Sequence, residues 1–141
     1  ASRLTPDMMK SADIVYVGYL SALRLLQDPV FARSRFSIGD TYDELIDRST
    51  GKAYVSGAGK ASGDRLNRDY GYLAAFRGPA GNRFVVIAGN RDIGVMQTAE
   101  IAADAKALAT LKPAAGPLEA LYEVDGVGRT NLGAKPVVAS R

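Results

Sequence analysis

A chain of 141 residues with 47% hydrophobic and 23% charged side chains can bury a single core and is too apolar to be mainly disordered. It has no histidine and no cysteine, which excludes Ser-His-Asp and Cys-His catalysis, Cys/His zinc sites, haem ligation by those residues and disulfide frameworks. The net charge of +3 comes with no basic block or recognition-helix pattern, so direct nucleic-acid binding by this domain is not expected.

The opening Ala-Ser-Arg-Leu-Thr-Pro reads as a linker, so residues 1–11 are expected to join residues 12–141, a single α/β domain, to the rest of a longer or processed protein. Asp13-Ile-Val-Tyr-Val17 is a near-continuous apolar run, the pattern of a central strand buried on both faces. Gly18 closes it. From Tyr19 to about Ala32 apolar residues recur at helical spacing, with Pro29 expected to end or break the helix. Phe36-Ser-Ile38 then forms a short strand, and this order implies a right-handed parallel crossover. The stretch Ile14 to Leu26 falls short of the ~20 apolar residues of a membrane span and includes Arg24, so no span is expected in this segment.

Thr41 to Asp47 reads as one or two helical turns, and Ala53 to Ser56 as an edge strand. Gly57 to Asn67 lacks periodicity and is expected to be a loop. Asp69–Phe76 and Arg83–Ala88 are strands around Arg77-Gly-Pro-Ala-Gly-Asn82, which favours an antiparallel hairpin. A second long helix is predicted from about Ile93 to Leu111, ended by Pro113, with Val95, Met96, Ala99 and the later alanines as a small-residue packing face. Strands at Glu119–Val124 and Lys135–Ala139 complete the chain. The expected fold is therefore one mixed six- or seven-stranded sheet with two main helices on its faces, a three-layer, Rossmann-like α/β domain.

The strongest candidate site is Gly89-Asn90-Arg91-Asp92-Ile93-Gly94. A strand feeding a helix leaves backbone N–H groups at the helix start, an anion position that Arg91 could reinforce and that Gly89 and Gly94 would leave open. Capping by Asn90 or Asp92 and tight-turn glycines explain the same residues. Gly18, Tyr19 and Ser21 would face the same crevice if their strand neighbours the one ending at Gly89. Asp40, Asp43, Glu44 and Asp47 would share one side of a helix, where a cation or paired acids could be served, although a solvated helix start suits them better. Gly57–Gly63 lacks the spacing of a phosphate loop, and Gly126–Asn131 has Asn in place of the third dinucleotide-site glycine; both read as turns. Tyr70 and Tyr72 read as packing residues on one strand face.

At Ile14-Val-Tyr-Val-Gly18, Asp69-Tyr-Gly-Tyr72 and Ile87-Ala-Gly-Asn-Arg-Asp-Ile-Gly94 the chain resembles a little-characterised bacterial α/β domain found in the carboxyl-terminal part of membrane-tethered or DNA-binding regulators. The likeness runs from about Ala12 to Ala139. It implies a sensor or accessory module working beside other domains of a longer chain, and it transfers no catalytic residue.

Together these features favour a non-enzymatic ligand-sensing or protein-interaction domain, needing no cofactor or metal, with a small anionic ligand or a homodimer as partner. One alternative is a carboxylate-dependent enzyme acting on a nucleotide or glycosidic bond, pairing Asp92 with Asp40 or Asp69. Another is a structural assembly module that uses the edge Ala53–Ser56 or Lys135–Ala139. A periplasmic and a cytoplasmic location both fit a cysteine-free chain.

Overall fold

The computed structural model describes residues 5–32, 34–41, 44–57, 66–78, 80–104, 117–127 and 130–140. Its elements are α1 (Pro6–Ser11), β1 (Ile14–Tyr19), two 3-10 turns (Leu20–Ala22 and Arg24–Leu26), α2 (Gln27–Phe31), β2 (Phe36–Ile38), β3 (Glu44–Asp47) and β4 (Ala53–Val55). These are followed by β5 (Leu66–Arg77), β6 (Arg83–Gly89), α3 (Asp92–Ala103), β7 (Leu118–Val127) and β8 (Thr130–Ser140).

The expected single Rossmann-like sheet does not form. The strands divide into a five-stranded sheet, ordered β1-β6-β5-β7-β8, and a separate three-stranded meander, β2-β3-β4. In the larger sheet the pair β1–β6 is parallel, and β6–β5, β5–β7 and β7–β8 are antiparallel. The reason lies between β1 and β2. A parallel crossover needs a connecting helix long enough to return along the sheet. Here Arg24 takes a left-handed backbone (φ 51°), so the segment breaks into two 3-10 turns and the five-residue α2. Pro29 does not end that helix; it sits in the first turn of α2, where its missing N–H costs little.

The large sheet carries different partners on its two faces. On one face Tyr70, Tyr72 and Ala74 of β5 and Phe84, Val86 and Ala88 of β6 pack against Leu20, Leu26 and Phe31, and against Phe36, Leu45 and Tyr54 of the meander. Edge-on rings join the layers, with Phe36 against both Tyr54 and Tyr72 and Tyr54 against Tyr70. The opposite face takes α3, through a core of Leu73, Ile93, Ile101, Ala120, Tyr122 and Val124. The buried stripe of α3 is Ile93, Gly94, Thr98 and Ile101, and Met96, expected in the packing face, is exposed. Continuation of this helix from Ala105 to Leu111 lies outside the described residues, as do 58–63 of the first rejected glycine motif and 128–129 of the second.

Four further elements are informative. Pro6–Ser11, read as linker, is a short helix capped by the Thr5 hydroxyl, and Asn82 Nδ2 ties it down by donating to the Met9 and Ala12 carbonyls at 2.7 and 2.6 Å. The expected helix over Thr41–Asp47 is instead strand β3, whose alternate residues Leu45 and Asp47 are buried. The hairpin β5–β6 forms as expected, pairing Arg77 with Arg83 through Gly71 with Gly89. Strand β1, expected at the centre, lies at the edge of its sheet. Ile14 and Tyr16 pack inward, while Val15, Val17 and Tyr19 on the other face are exposed.

Candidate functional site

The parallel register Val17↔Ile87, Gly18↔Ala88, Tyr19↔Gly89 ends β1 and β6 side by side. This juxtaposition brings Tyr19 to the turn Gly89-Asn90-Arg91-Asp92, and the Tyr19 hydroxyl donates to Asp92 Oδ1. Asn90 is buried and its N–H donates to the Tyr70 carbonyl at 3.1 Å, whereas Arg91 is exposed. Gly18 lies inside β1 beneath Tyr16, whose hydroxyl donates to the Tyr19 carbonyl at 2.6 Å. Ser21 sits on the following 3-10 turn and is exposed.

Asp69, which the sequence offered only as a possible acid to pair with Asp92, has a different role. This β5 carboxylate is fully buried beneath the start of α3, and its Oδ2 accepts from the Arg91 N–H at 3.0 Å and the Gly94 N–H at 2.8 Å. Burial raises its pKa, opposed by hydrogen bonds from the Ser56 hydroxyl and from backbone N–H groups including those of Gly94 and Arg91. The anion position expected at the helix start is therefore taken by a carboxylate of the same chain, acting as an N-cap supplied from a neighbouring strand. Gly89 and Gly94 serve that packing. A Cβ on Gly94 would lie 2.7 Å from Asp69 Oδ2, and one on Gly89 would run into the backbone of Gly94 and Val95. The signal in the sequence was the lone acid leading an otherwise apolar strand, Asp69-Tyr-Gly-Tyr-Leu-Ala-Ala.

A second buried polar cluster fixes the link between α2 and β2. Ser34 Oγ and the Tyr72 hydroxyl both donate to Glu119 Oε2, and the Arg35 N–H donates to Oε1 at 3.0 Å. Ser34 Oγ also accepts from the Phe36 N–H at 2.8 Å, which marks it as a turn-forming hydroxyl. Beside it Arg35 forks onto Asp47, with Nε 3.0 Å from both carboxylate oxygens and Nη2 2.7 Å from Oδ2. These bonds, with those from Ser49, hold the Asp47 carboxyl far below its ordinary 3.8. Tyr72 is driven well above 10.0 by burial and by the Glu119 charge, so it stays a donor. Replacing Tyr72 with Phe is expected to lower unfolding free energy by about 1 kcal/mol, read from urea denaturation, because Glu119 Oε2 keeps its bond from Ser34. No change would mean that the hydroxyl is satisfied equally well in the unfolded chain.

The acids expected on one helical side are separated by the strand that replaces the helix. Glu44 Oε1 accepts from the Asp40 N–H at 2.7 Å, and Asp47 is engaged by Arg35 and Ser49. Among the described residues no group of three or more Asp/Glu side chains could hold a metal ion. A cavity of about 370 Å³ opens between α2 and the meander, lined by Phe31, Ile38 and Arg48 among others and by none of the expected site residues. The chain matches no family model, no curated protein and no solved structure. Among the described residues no helix is long and apolar enough to cross a membrane.

The surface that stands out is β1 itself. Val15 is 66% exposed, Val17 57% and Tyr19 42%, in one row on the α3 face of the sheet. Among the described residues β1 pairs with β6 alone, which leaves the edge beside that row open.

Proposed function

We propose that this chain is a binding module, a protein-interaction domain that takes an extended segment of a partner along β1. The observation that carries this reading is the contrast between β1 and the other sheet edges. An open strand edge invites pairing, and edges are commonly guarded by charge, proline, bulges or shortness. The distal edge β8 contains Lys135 and Pro136 and joins β7 through two register shifts. The meander edges β2 and β4 are three residues each. Strand β1 runs for six residues, Ile-Val-Tyr-Val-Gly-Tyr, with no charge and no proline.

Backbone bonds along such an edge supply affinity, and the apolar row Val15, Val17, Tyr19 supplies selection for apolar side chains at alternate positions. A chain without imidazole or thiol suits that role better than catalysis. The carboxylate-enzyme alternative loses support because Asp69 is sealed from solvent and committed to the start of α3. The small-anion reading weakens for the same reason. The resemblance to accessory domains of bacterial regulators agrees with an interaction role beside other domains, in a membrane-tethered or DNA-binding protein.

The test uses a fluorescein-labelled peptide alternating Val and Thr between flanking lysines. Its polarisation is expected to rise saturably with dilute native protein and to stay flat with the V15S/V17S double variant. Both substitutions fall at exposed positions, so the circular dichroism of the variant is expected to match that of the native protein. A flat signal with the native protein would overturn the reading.

A further inference from the structure

We infer that the partner along β1 is a second copy of this chain, joined by antiparallel β1–β1 pairing about a twofold axis that passes beside Val17. The inference rests on the reading of β1 as the interaction surface and adds the identity of the occupant. Its basis is the self-complementarity of the strand. A twofold axis perpendicular to the sheet pairs residues of like parity, so Val15, Val17 and Tyr19 of both copies stay on one face.

With Val17 opposite Val17, Val15 of each copy meets Tyr19 of the other, an aromatic against a β-branched side chain, a favourable cross-strand pair. The three most exposed side chains of the row are thereby all placed in cross-strand contact, and the two five-stranded sheets continue as one. No charge falls within the paired span. Asp13 lies before it, with its carboxylate accepting from the Arg83 N–H at 2.7 Å. The Tyr16 hydroxyl already covers the Tyr19 carbonyl, so the backbone bonds of the ladder centre on Tyr16 to Gly18, with the side chains of Val15 and Tyr19 meeting at its two ends. A heterologous partner would have to bring its own uncharged strand; a second copy presents one in matching register.

The experiment is sedimentation velocity over a concentration series with native protein, Val17→Lys and Val17→Glu. Native protein is expected to pass from monomer to dimer as concentration rises. Each single variant sets two like charges directly opposite and should weaken the dimer at least tenfold. An equimolar mixture of the two variants should recover a dimer, because Lys now faces Glu. Position 17 is 57% exposed, and unchanged circular dichroism of each variant controls for folding.

A native chain that stays monomeric at every concentration, or a dimer that both variants leave intact, overturns the inference. The Val/Thr peptide separates the two levels. A monomer that binds it retains β1 as an interaction edge for other strands, and a monomer that does not loses both readings.

Discussion

Replacing Asp69 with Ala is expected to lower the unfolding free energy by about 3–4 kcal/mol, which makes this buried carboxylate one of the most costly side chains in the protein to remove. Its Oδ2 receives the N–H groups of Arg91 and Gly94, and the Ser56 hydroxyl also bonds the carboxylate. Ala leaves those donors without their acceptor, the Gly94 N–H among them in a buried setting where no water replaces it. It also uncouples β4 from β5 at the point where the Gly57 N–H meets the Arg68 carbonyl at 2.7 Å. Asp69→Asn separates capping from charge. The amide oxygen still accepts from both backbone groups, so at pH 7 the cost should be about 1 kcal/mol or less.

The pH dependence follows from the direction of the shift. Burial places the Asp69 pKa above 3.8, so the folded chain holds this proton more tightly than the unfolded one. Its contribution is fully present below the unfolded value and falls as pH rises through the raised folded value. Asn has no such proton, so the stability gap between native protein and Asp69→Asn should narrow from pH 3.8 upward. Urea denaturation across that range measures it, and a gap that widens with pH would contradict desolvation as the dominant influence. Asp47 behaves in the opposite sense. Its lowered pKa gives stability that persists above 3.8 and disappears only as pH falls through the folded value.

These two aspartates also show how far the sequence could be read. Patterns that extend over many residues were legible. The Gly/Pro/Asn loop at 77–82 specified the β5–β6 hairpin, and Phe36–Ile38 and the start of α3 stand where periodicity placed them. The side-by-side ends of β1 and β6 were anticipated as a condition for one crevice, and the register meets it.

Short segments whose polar residues are internally paired were not legible. Glu44–Asp47 has only two buried positions to signal a strand, and one of them is an acid, buried because Arg35 reaches it from the adjoining strand's approach. The break at Arg24 requires a left-handed backbone at an arginine, for which local sequence gives no warning. Strand β1 reads as doubly buried because both of its faces are apolar. On the proposed reading of β1 as an interaction edge that ambiguity is expected, since a face that binds a partner has the composition of a core. The carboxylate at the start of α3 was not legible for a related reason. Free helix-start donors can be read from local sequence, but the carboxylate that occupies them comes from β5, more than twenty residues earlier.

The second large effect is expected at Gly94, where Gly→Ala should destabilise although Ala is the better helix former. In an exposed helix the exchange favours the folded state by about 1 kcal/mol. Here the new methyl would run into the Tyr70 carbonyl oxygen, with the Tyr70 carbonyl carbon 3.0 Å away and Asp69 Oδ2 at 2.7 Å. Two of those contacts are backbone of the central strand β5, and the third is the cap itself, so none can swing aside. The helix must lift from the sheet, which stretches the Asp69 bonds and opens the core around Ile93 and Leu73. Overpacking outweighs propensity, for a net loss of about 2–3 kcal/mol.

Gly71 offers the internal check, because a methyl there would collide with the hydroxyl of Thr98, one turn further along α3. The Thr98 hydroxyl spends its proton on the Gly94 carbonyl at 2.7 Å, an acceptor within the same helix, so Thr98→Ala alone should be mild. In a double-mutant cycle the Gly71→Ala cost should fall by at least about 1 kcal/mol once Thr98 is Ala, since the colliding oxygen is gone. Gly94→Ala should gain nothing from Thr98→Ala, since its obstruction is backbone. Equal relief at both glycines would mean that α3 sits farther from β5 than these contacts require.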